Sequence, residues 1–158
     1  MPELHPTALK LADRLRAAGL DIEPVELEAS TRTAADAAAA VGSELGQIVK
    51  SVVLVDDGGH PVLCLCAGDR MIDLAAVGGG VRMARGSEVR DVTGFAIGGV
   101  PPLGHDQPLR TVVDRSLGRF ETVWCAAGTP NAVFEVGFQQ LLAAIPGAEV
   151  RDVAQEPA

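Results

Sequence analysis

Short apolar runs rich in β-branched residues alternate with turn residues along most of this chain, and they predict a series of short strands. The strongest run is residues 47–55 (QIVKSVVLV). A DDGG turn separates it from residues 61–67 (PVLCLCA), so these two strands are predicted to form a hairpin. Further strands are predicted at residues 25–27, 110–114, 122–127, 132–136 and, at a sheet edge, 149–153.

Helical spacing and end signals predict five helices between these strands. Residues 5–18 place Leu11 and Leu15 on one face and stop at a glycine, and Thr33 is expected to cap residues 34–41. The other helices are predicted from the cap Asp73 to residue 77, from the cap Ser87 to residue 93, and over residues 137–145. Because strands and helices intermix without strict alternation, the pattern favours an α/β fold with a mixed sheet and helices around it.

Composition narrows the function classes. A length of 158 residues predicts one domain over residues 1–158, with a frayed tail at 154–158. The net charge of −8 argues against a broad nucleic-acid footprint, and no apolar run approaches the roughly 18 residues that a membrane span needs. We therefore expect a soluble cytoplasmic protein that binds neither DNA nor membranes.

Lys50 is the first residue with candidate chemistry, because it interrupts the apolar run QIVKSVVLV. A lysine in such a strand either faces solvent or is held at the rim of a pocket. A lysine at a pocket rim can bind a phosphate as a point charge.

The loop at residues 95–108 (FAIGGVPPLGHDQP) is the second such feature. Gly98 and Gly99 allow a ligand to approach the backbone closely, while Pro101 and Pro102 restrict the path of the loop. Backbone amides held in this way could form an oxyanion hole. The alternative is an ordinary structural turn.

Two further sets of side chains invite a catalytic interpretation. His105 could join Ser51 and Asp106 or Asp114 in a triad, but no G-x-S-x-G motif is present, and a histidine bonded to nearby backbone fits better. Cys64, Cys66 and Cys125 show no metal-ligand spacing, so we expect them in the core and expect no metal.

Six stretches also match a known family in their order and spacing. They are T-A-A-D-A-A-A from Thr33 to Ala39, Q-I-V-K-S from Gln47, A-G-D-R from Ala67, T-G-F from Thr93, G-G-V-P-P-L-G-H from Gly98 to His105, and A-G at Ala127 and Gly128. Together they resemble the YbaK/EbsC family, the prolyl-tRNA synthetase editing-domain superfamily, over roughly residues 20–150. Leu103 departs from the pattern, because many relatives carry Phe there.

The resemblance implies a fold, an activity and a site. The fold is a single compact α/β domain with a mixed, barrel-like sheet flanked by helices. The activity is hydrolysis of the ester of mischarged tRNA, most often tRNA(Pro) carrying a small wrong amino acid. The implied catalytic residues are Lys50, Gly98 and Gly99, and the implied substrate-binding residues are Val100, Pro101, Pro102, Gly104 and His105.

The same resemblance implies the mechanism and the partners. Lys50 would hold the terminal adenosine region, while loop amides would hold the ester carbonyl for attack by a bound water. No cofactor is required. The expected partners are the 3′ end of mischarged tRNA and an aminoacyl-tRNA synthetase. The alternative hypothesis is a non-catalytic module that binds an aminoacyl-tRNA or an amino acid with the same fold.

Overall fold

Five helices and ten short strands follow one another in the computed structural model, which describes residues 3–157. The helices are α1 (Pro6–Ala17), α2 (Ala34–Val41), α3 (Leu74–Val77), α4 (Gly86–Thr93) and α5 (Phe138–Ala144). The strands are β1 (Val25–Glu26), β2 (Val49–Val55), β3 (Pro61–Ala67), β4 (Met71–Ile72), β5 (Arg82–Met83), β6 (Arg110–Asp114), β7 (Thr122–Ala126), β8 (Ala132–Gly137), β9 (Glu149–Arg151) and β10 (Ala154–Gln155). Short 3-10 helices lie at Leu45–Gln47 and Arg115–Arg119.

The strands form a mixed sheet and two smaller antiparallel sheets. The five-stranded sheet has the order β5-β2-β3-β6-β9, with β2 antiparallel to β3 and β5, and with β3, β6 and β9 parallel. The other sheets are β1-β8-β7 and β10-β4. The predicted α/β fold with a mixed sheet is confirmed. Within residues 3–157, however, the sheet does not close into the expected barrel.

The two faces of β2 and β3 bury different cores because side chains alternate along a strand. Val49 and Val53 pack with Leu65 in the main core, which α1 and α5 cover. Leu54 packs with Cys64 in a smaller core on the opposite face. The three cysteines are free and fully buried, as predicted, and burial raises the pKa of the thiols, to about 12 for Cys64 and to about 11 for Cys66.

The helix ends agree with the predicted signals at α2 but not at α4. At α2, the Thr33 hydroxyl accepts a hydrogen bond from the Asp36 N–H at 3.0 Å, and Gly42 ends the helix in a left-handed conformation. The prediction that Ser87 caps α4 is wrong, because the cap is Arg85. Glu88 accepts a hydrogen bond from the Arg85 N–H at 2.9 Å, which fixes the start of α4 one turn before the carboxylate.

The tail forms structure that was not expected of it. Residues 154–158 were predicted to fray, yet Ala154–Gln155 pairs with β4. The cause is the buried carboxylate of Asp114, which accepts hydrogen bonds from the N–H groups of Val153 at 2.9 Å and Ala154 at 3.0 Å. Ala158, at the end of the predicted tail, lies outside the described residues. None of the helices in residues 3–157 is long and apolar enough to cross a membrane.

Candidate functional site

A cavity opens where β2 and β7 separate. The two strands meet at a parallel bridge between Ile48 and Trp124, and beyond it the chain leaves a cavity of about 250 Å³ between them. This volume is below that of typical pockets for drug-sized ligands, so the cavity suits a small chemical group.

Five separate segments of the chain line this cavity. The start of α2 and the segment before it contribute Thr31, Arg32, Thr33, Ala34 and Ala37. The strand β2 and its approach contribute Ile48, Val49, Lys50 and Ser51. The opposite wall consists of Gly98, Val100, Trp124, Cys125, Ala126, Pro130 and Val133. The wall contains no aspartate, glutamate or histidine among the described residues.

Lys50 lies in the wall of the cavity, and it is half-buried. Its ammonium donates a hydrogen bond to the backbone carbonyl of Arg70. Its side chain lies on the same face of the sheet as that of Cys66, its partner on β3. Lys50 is therefore neither a fully solvated strand lysine nor a buried ion pair, because a neutral backbone carbonyl binds its ammonium.

The loop before the prolines reaches the cavity through Gly98 and Val100. Gly98 has φ +87°, a conformation that favours glycine, and Val100 is buried. The N–H groups of these two residues have no hydrogen-bond acceptor among the described residues. These two amides are therefore the candidates for binding a ligand at this loop.

Gly99 differs from Gly98 in how its backbone is used. Its N–H donates to the carbonyl of Ala96 at 3.0 Å, so this amide is already used within the turn. A Cβ on Gly99 would lie 2.8 Å from Cα of Thr129. Gly99 therefore allows the loop to pack closely against the segment at residues 128–130, and it does not line the cavity.

The remaining predicted site residues stand behind the cavity wall. Pro101 and Pro102 are buried, and neither they nor Gly104 and His105 line the cavity. His105 donates from Nε2 to the carbonyl of Pro101 at 2.7 Å and meets the Phe95 ring edge-on. Burial lowers the pKa of His105, so the ring is neutral at pH 7 and stabilises the loop.

The distribution of unpaired basic groups distinguishes the cavity from the rest of the surface. Basic side chains mostly pair with carboxylates, for example Arg119 with Asp69 at 2.9 Å. Within residues 3–157 the basic side chains that make no ion pair are Lys10, Arg32, Lys50, Arg90 and Arg151. Arg32 and Lys50 both line the cavity. Two of the five basic residues without an ion pair are thus in the cavity wall, which holds no acidic residue among those described, although the chain carries a net charge of −8.

Sequence reasoning missed Arg32 and Trp124 and considered Ser51 only as a nucleophile. Arg32 precedes the matched stretch at Thr33 by one residue, and this position was the only available signal. Ser51 Oγ is buried and has no hydrogen-bond partner among the described residues. In the same part of the chain, no group of three or more His, Cys, Asp or Glu residues is placed to hold a metal ion.

Comparisons with known proteins show what this chain is similar to. The model of the aminoacyl-tRNA editing domain family matches residues 28–144. The crystal structure of a candidate trans-editing enzyme for prolyl tRNA synthetase superposes with a TM-score of 0.91 at 46% identity and covers 97% of this chain and 99% of that one. The hypothetical protein APE2540 gives a TM-score of 0.84 at 33% identity, covering 92% and 99%. The uncharacterized protein YwhH of Bacillus subtilis (strain 168) is 36% identical over 120 residues, which are 73% of this chain and 76% of YwhH.

Proposed function

The chain belongs to the aminoacyl-tRNA editing domain family, and on that premise we propose that it is a deacylase that acts in trans on mischarged tRNA. Its substrate is the ester between the 3′-terminal adenosine of a tRNA and a small wrong amino acid. Water adds to the ester carbonyl and the C–O bond to the ribose breaks. The products are the free amino acid and the uncharged tRNA.

One observation supports this proposal above the others. Lys50 is far in sequence from Gly98 and Val100, yet all three line one small cavity. The combination provides a positive charge for the nucleotide, backbone amides for a developing oxyanion, and an apolar wall for a small side chain. A protein that used this fold only as a scaffold would need no such combination.

The lining residues restrict the chemistry. Since no carboxylate or histidine lines the cavity among the described residues, the wall offers neither of these common general bases. Cys125 is fully buried, and burial raises the pKa of its thiol, which makes it a poor nucleophile. An aminoacyl ester is already activated, so a water helped by the substrate's own hydroxyl and amino groups suffices. The N–H groups of Gly98 and Val100 then stabilise the oxyanion.

The partner is the single-stranded 3′ end of the tRNA. Arg32 and Lys50 would bind its last phosphates, while the remaining acidic surface repels the body of the tRNA. We assign tRNA(Pro) as the most favoured substrate because the relative with 46% identity is described as a candidate trans-editing enzyme for prolyl tRNA synthetase. The synthetase is the expected second partner.

Two other functions make different predictions. A non-catalytic module would bind aminoacyl-tRNA without releasing the amino acid. A triad esterase would need a base next to Ser51, but the hydroxyl of Ser51 has no hydrogen-bond partner among the described residues, and His105 is bonded to Pro101. The geometry therefore favours the water-based mechanism over the triad.

A deacylation panel separates these functions. We would charge tRNA(Pro) with alanine, serine, cysteine or proline and measure single-turnover release by the wild type, Lys50→Ala and the matched control Lys10→Ala. Lys10 is exposed on α1 and does not line the cavity. We expect release of at least one wrong amino acid and retention of proline.

The variants test the assigned role of Lys50. Lys50→Ala should lose most of the activity with a nearly unchanged thermal midpoint, because the side chain is half-buried and has a single hydrogen-bond partner. Lys10→Ala should match the wild type. Binding without release on every charged tRNA would establish the non-catalytic module, and a wild-type rate for Lys50→Ala would refute the assigned role.

A further inference from the structure

Among the described residues of the cavity wall, Ser51 carries the one buried side-chain polar atom that lacks a hydrogen-bond partner. It lies on the face of β2 that points to the main core, between Val49 and Val53. Its Oγ is buried and has no hydrogen-bond partner among the described residues, although it lies in the cavity wall. A buried hydroxyl without a partner is unfavourable, so a partner is expected in the working state of the protein.

The backbone of Ser51 also faces the cavity. The carbonyl of Val53 accepts a hydrogen bond from the N–H of Ala84, on the edge of β2 away from β3. Because the backbone groups of a strand alternate between its two edges, the N–H and C=O of Ser51 point to that same edge. The pairing with β5 starts only at Leu54, and the bridge to β7 is at Ile48, so Ser51 lies in the gap between them.

The position of Ser51 within the cavity indicates which part of a substrate it meets. Arg32 is exposed at the mouth of the cavity, whereas Val100 and Cys125 are buried in its wall. The nucleotide therefore belongs at the mouth and the amino acid at the buried end. Ser51 shares the main-core face with Cys125, which places its hydroxyl at the amino-acid end.

The charge of the wall determines how an amino group could be bound there. Carboxylates are the usual partners of an ammonium group, but no acidic residue lines the cavity among those described. The wall offers neutral acceptors instead, among them Ser51 Oγ and the Ser51 carbonyl, with the hydroxyls of Thr31 and Thr33 beside the exposed Arg32. An amino group donates hydrogen bonds whether or not it is protonated, so it matches these acceptors in either form.

We propose that Ser51 binds the α-amino group of the aminoacyl ester through Oγ and its backbone carbonyl, and so positions the ester at the Gly98 loop. This inference rests on the proposed function, since it assumes an aminoacyl nucleotide in the cavity. Ser51 is a positioning residue and not a nucleophile. It explains why a serine stands between Val49 and Val53 on the face of β2 that points to the main core.

Stable amide analogues test the inference without hydrolysis. The probes are 3′-alanylamido-3′-deoxyadenosine and its 3′-propionylamido counterpart, which lacks only the amino group. Binding to the wild type, Ser51→Ala and Ser51→Thr is measured by calorimetry or NMR titration, after the thermal midpoint confirms that each variant is folded. The wild type should prefer the alanyl probe on the order of tenfold, because hydrogen bonds to charged groups are among the stronger ones.

The outcomes distinguish the inference from the proposed function. Ser51→Ala should lose the preference by weakening only the alanyl probe, and Ser51→Thr should keep it. If the wild type shows no preference, or binds neither probe, the inference is overturned even where Ser51→Ala fails to fold. An equal loss of both probes in Ser51→Ala also overturns it, because Ser51 would then contact the ribose or the carbonyl. Release of alanine from alanyl-tRNA(Pro) by the same preparations tests the proposed function separately.

Discussion

Replacing Arg32 by glutamine should halve the salt dependence with which this chain binds a tRNA 3′ end. Arg32 lines the cavity, and its guanidinium pairs with no carboxylate among the described residues. Its backbone N–H donates to Asp36 at 3.2 Å, which fixes the residue at the start of α2. Gln keeps much of the side-chain length and removes the charge.

The magnitude follows from the number of phosphates that the cavity can neutralise. For single strands each contact contributes about 0.7 to the slope of log K against log salt. Arg32 and Lys50 together give a slope of about −1.4, so raising KCl from about 50 to 200 mM should weaken wild-type binding about sevenfold. With Lys50 alone the slope is about −0.7, and the same change should weaken binding about threefold.

The assay is the titration of a minihelix with a 3′ CCA end at several KCl concentrations. Arg90→Gln is the matched control, because Arg90 also makes no ion pair within residues 3–157 but does not line the cavity. Its slope should equal that of the wild type. A slope steeper than about −4 for the wild type would refute the reasoning, because it requires phosphate contacts beyond the cavity. A slope for Arg32→Gln equal to that of the wild type would refute it as well.

The other predictions concern the loop and the buried polar groups. Gly98→Val should lower the rate of single-turnover deacylation on the order of 10²-fold, because a side chain at φ +87° displaces a loop amide. His105→Ala should lower the same rate less than about tenfold, and the reverse order would place catalysis on a side-chain base. Burial lowers the pKa of His105 below its ordinary value of 6.5, so near that pH the unfolded chain binds a proton that the folded chain does not. Wild-type stability should therefore fall as the pH drops through 6.5, and the free energy of unfolding of His105→Gln in urea should depend less on pH there. Asp114→Ala should lower the free energy of unfolding by about 3 kcal/mol, since two backbone N–H groups lose their acceptor, and an unchanged urea midpoint would contradict this role.

Local signals in the sequence were enough for most of the fold. The β2–β3 hairpin follows from two β-branched runs and the turn between them, and the bounds of α2 follow from its Thr33 cap and the glycine after it. These features depend on neighbours a few residues away, so the sequence displays them directly. The two-residue strands β4, β5 and β10 have no such signal, because each exists only through a partner distant in the chain.

In the candidate site, too, some features can be predicted from local sequence and others depend on the tertiary structure. The sequence by itself identified Lys50 and the loop at Gly98, because a charge in an apolar strand and a cluster of glycine and proline stand out locally. Only the tertiary structure brings Arg32 to the cavity, leaves Ser51 Oγ without a partner and commits the Gly99 N–H to a turn. These properties depend on where β2 and β7 separate. That point is set by the packing of two sheets, and no stretch of sequence encodes it alone.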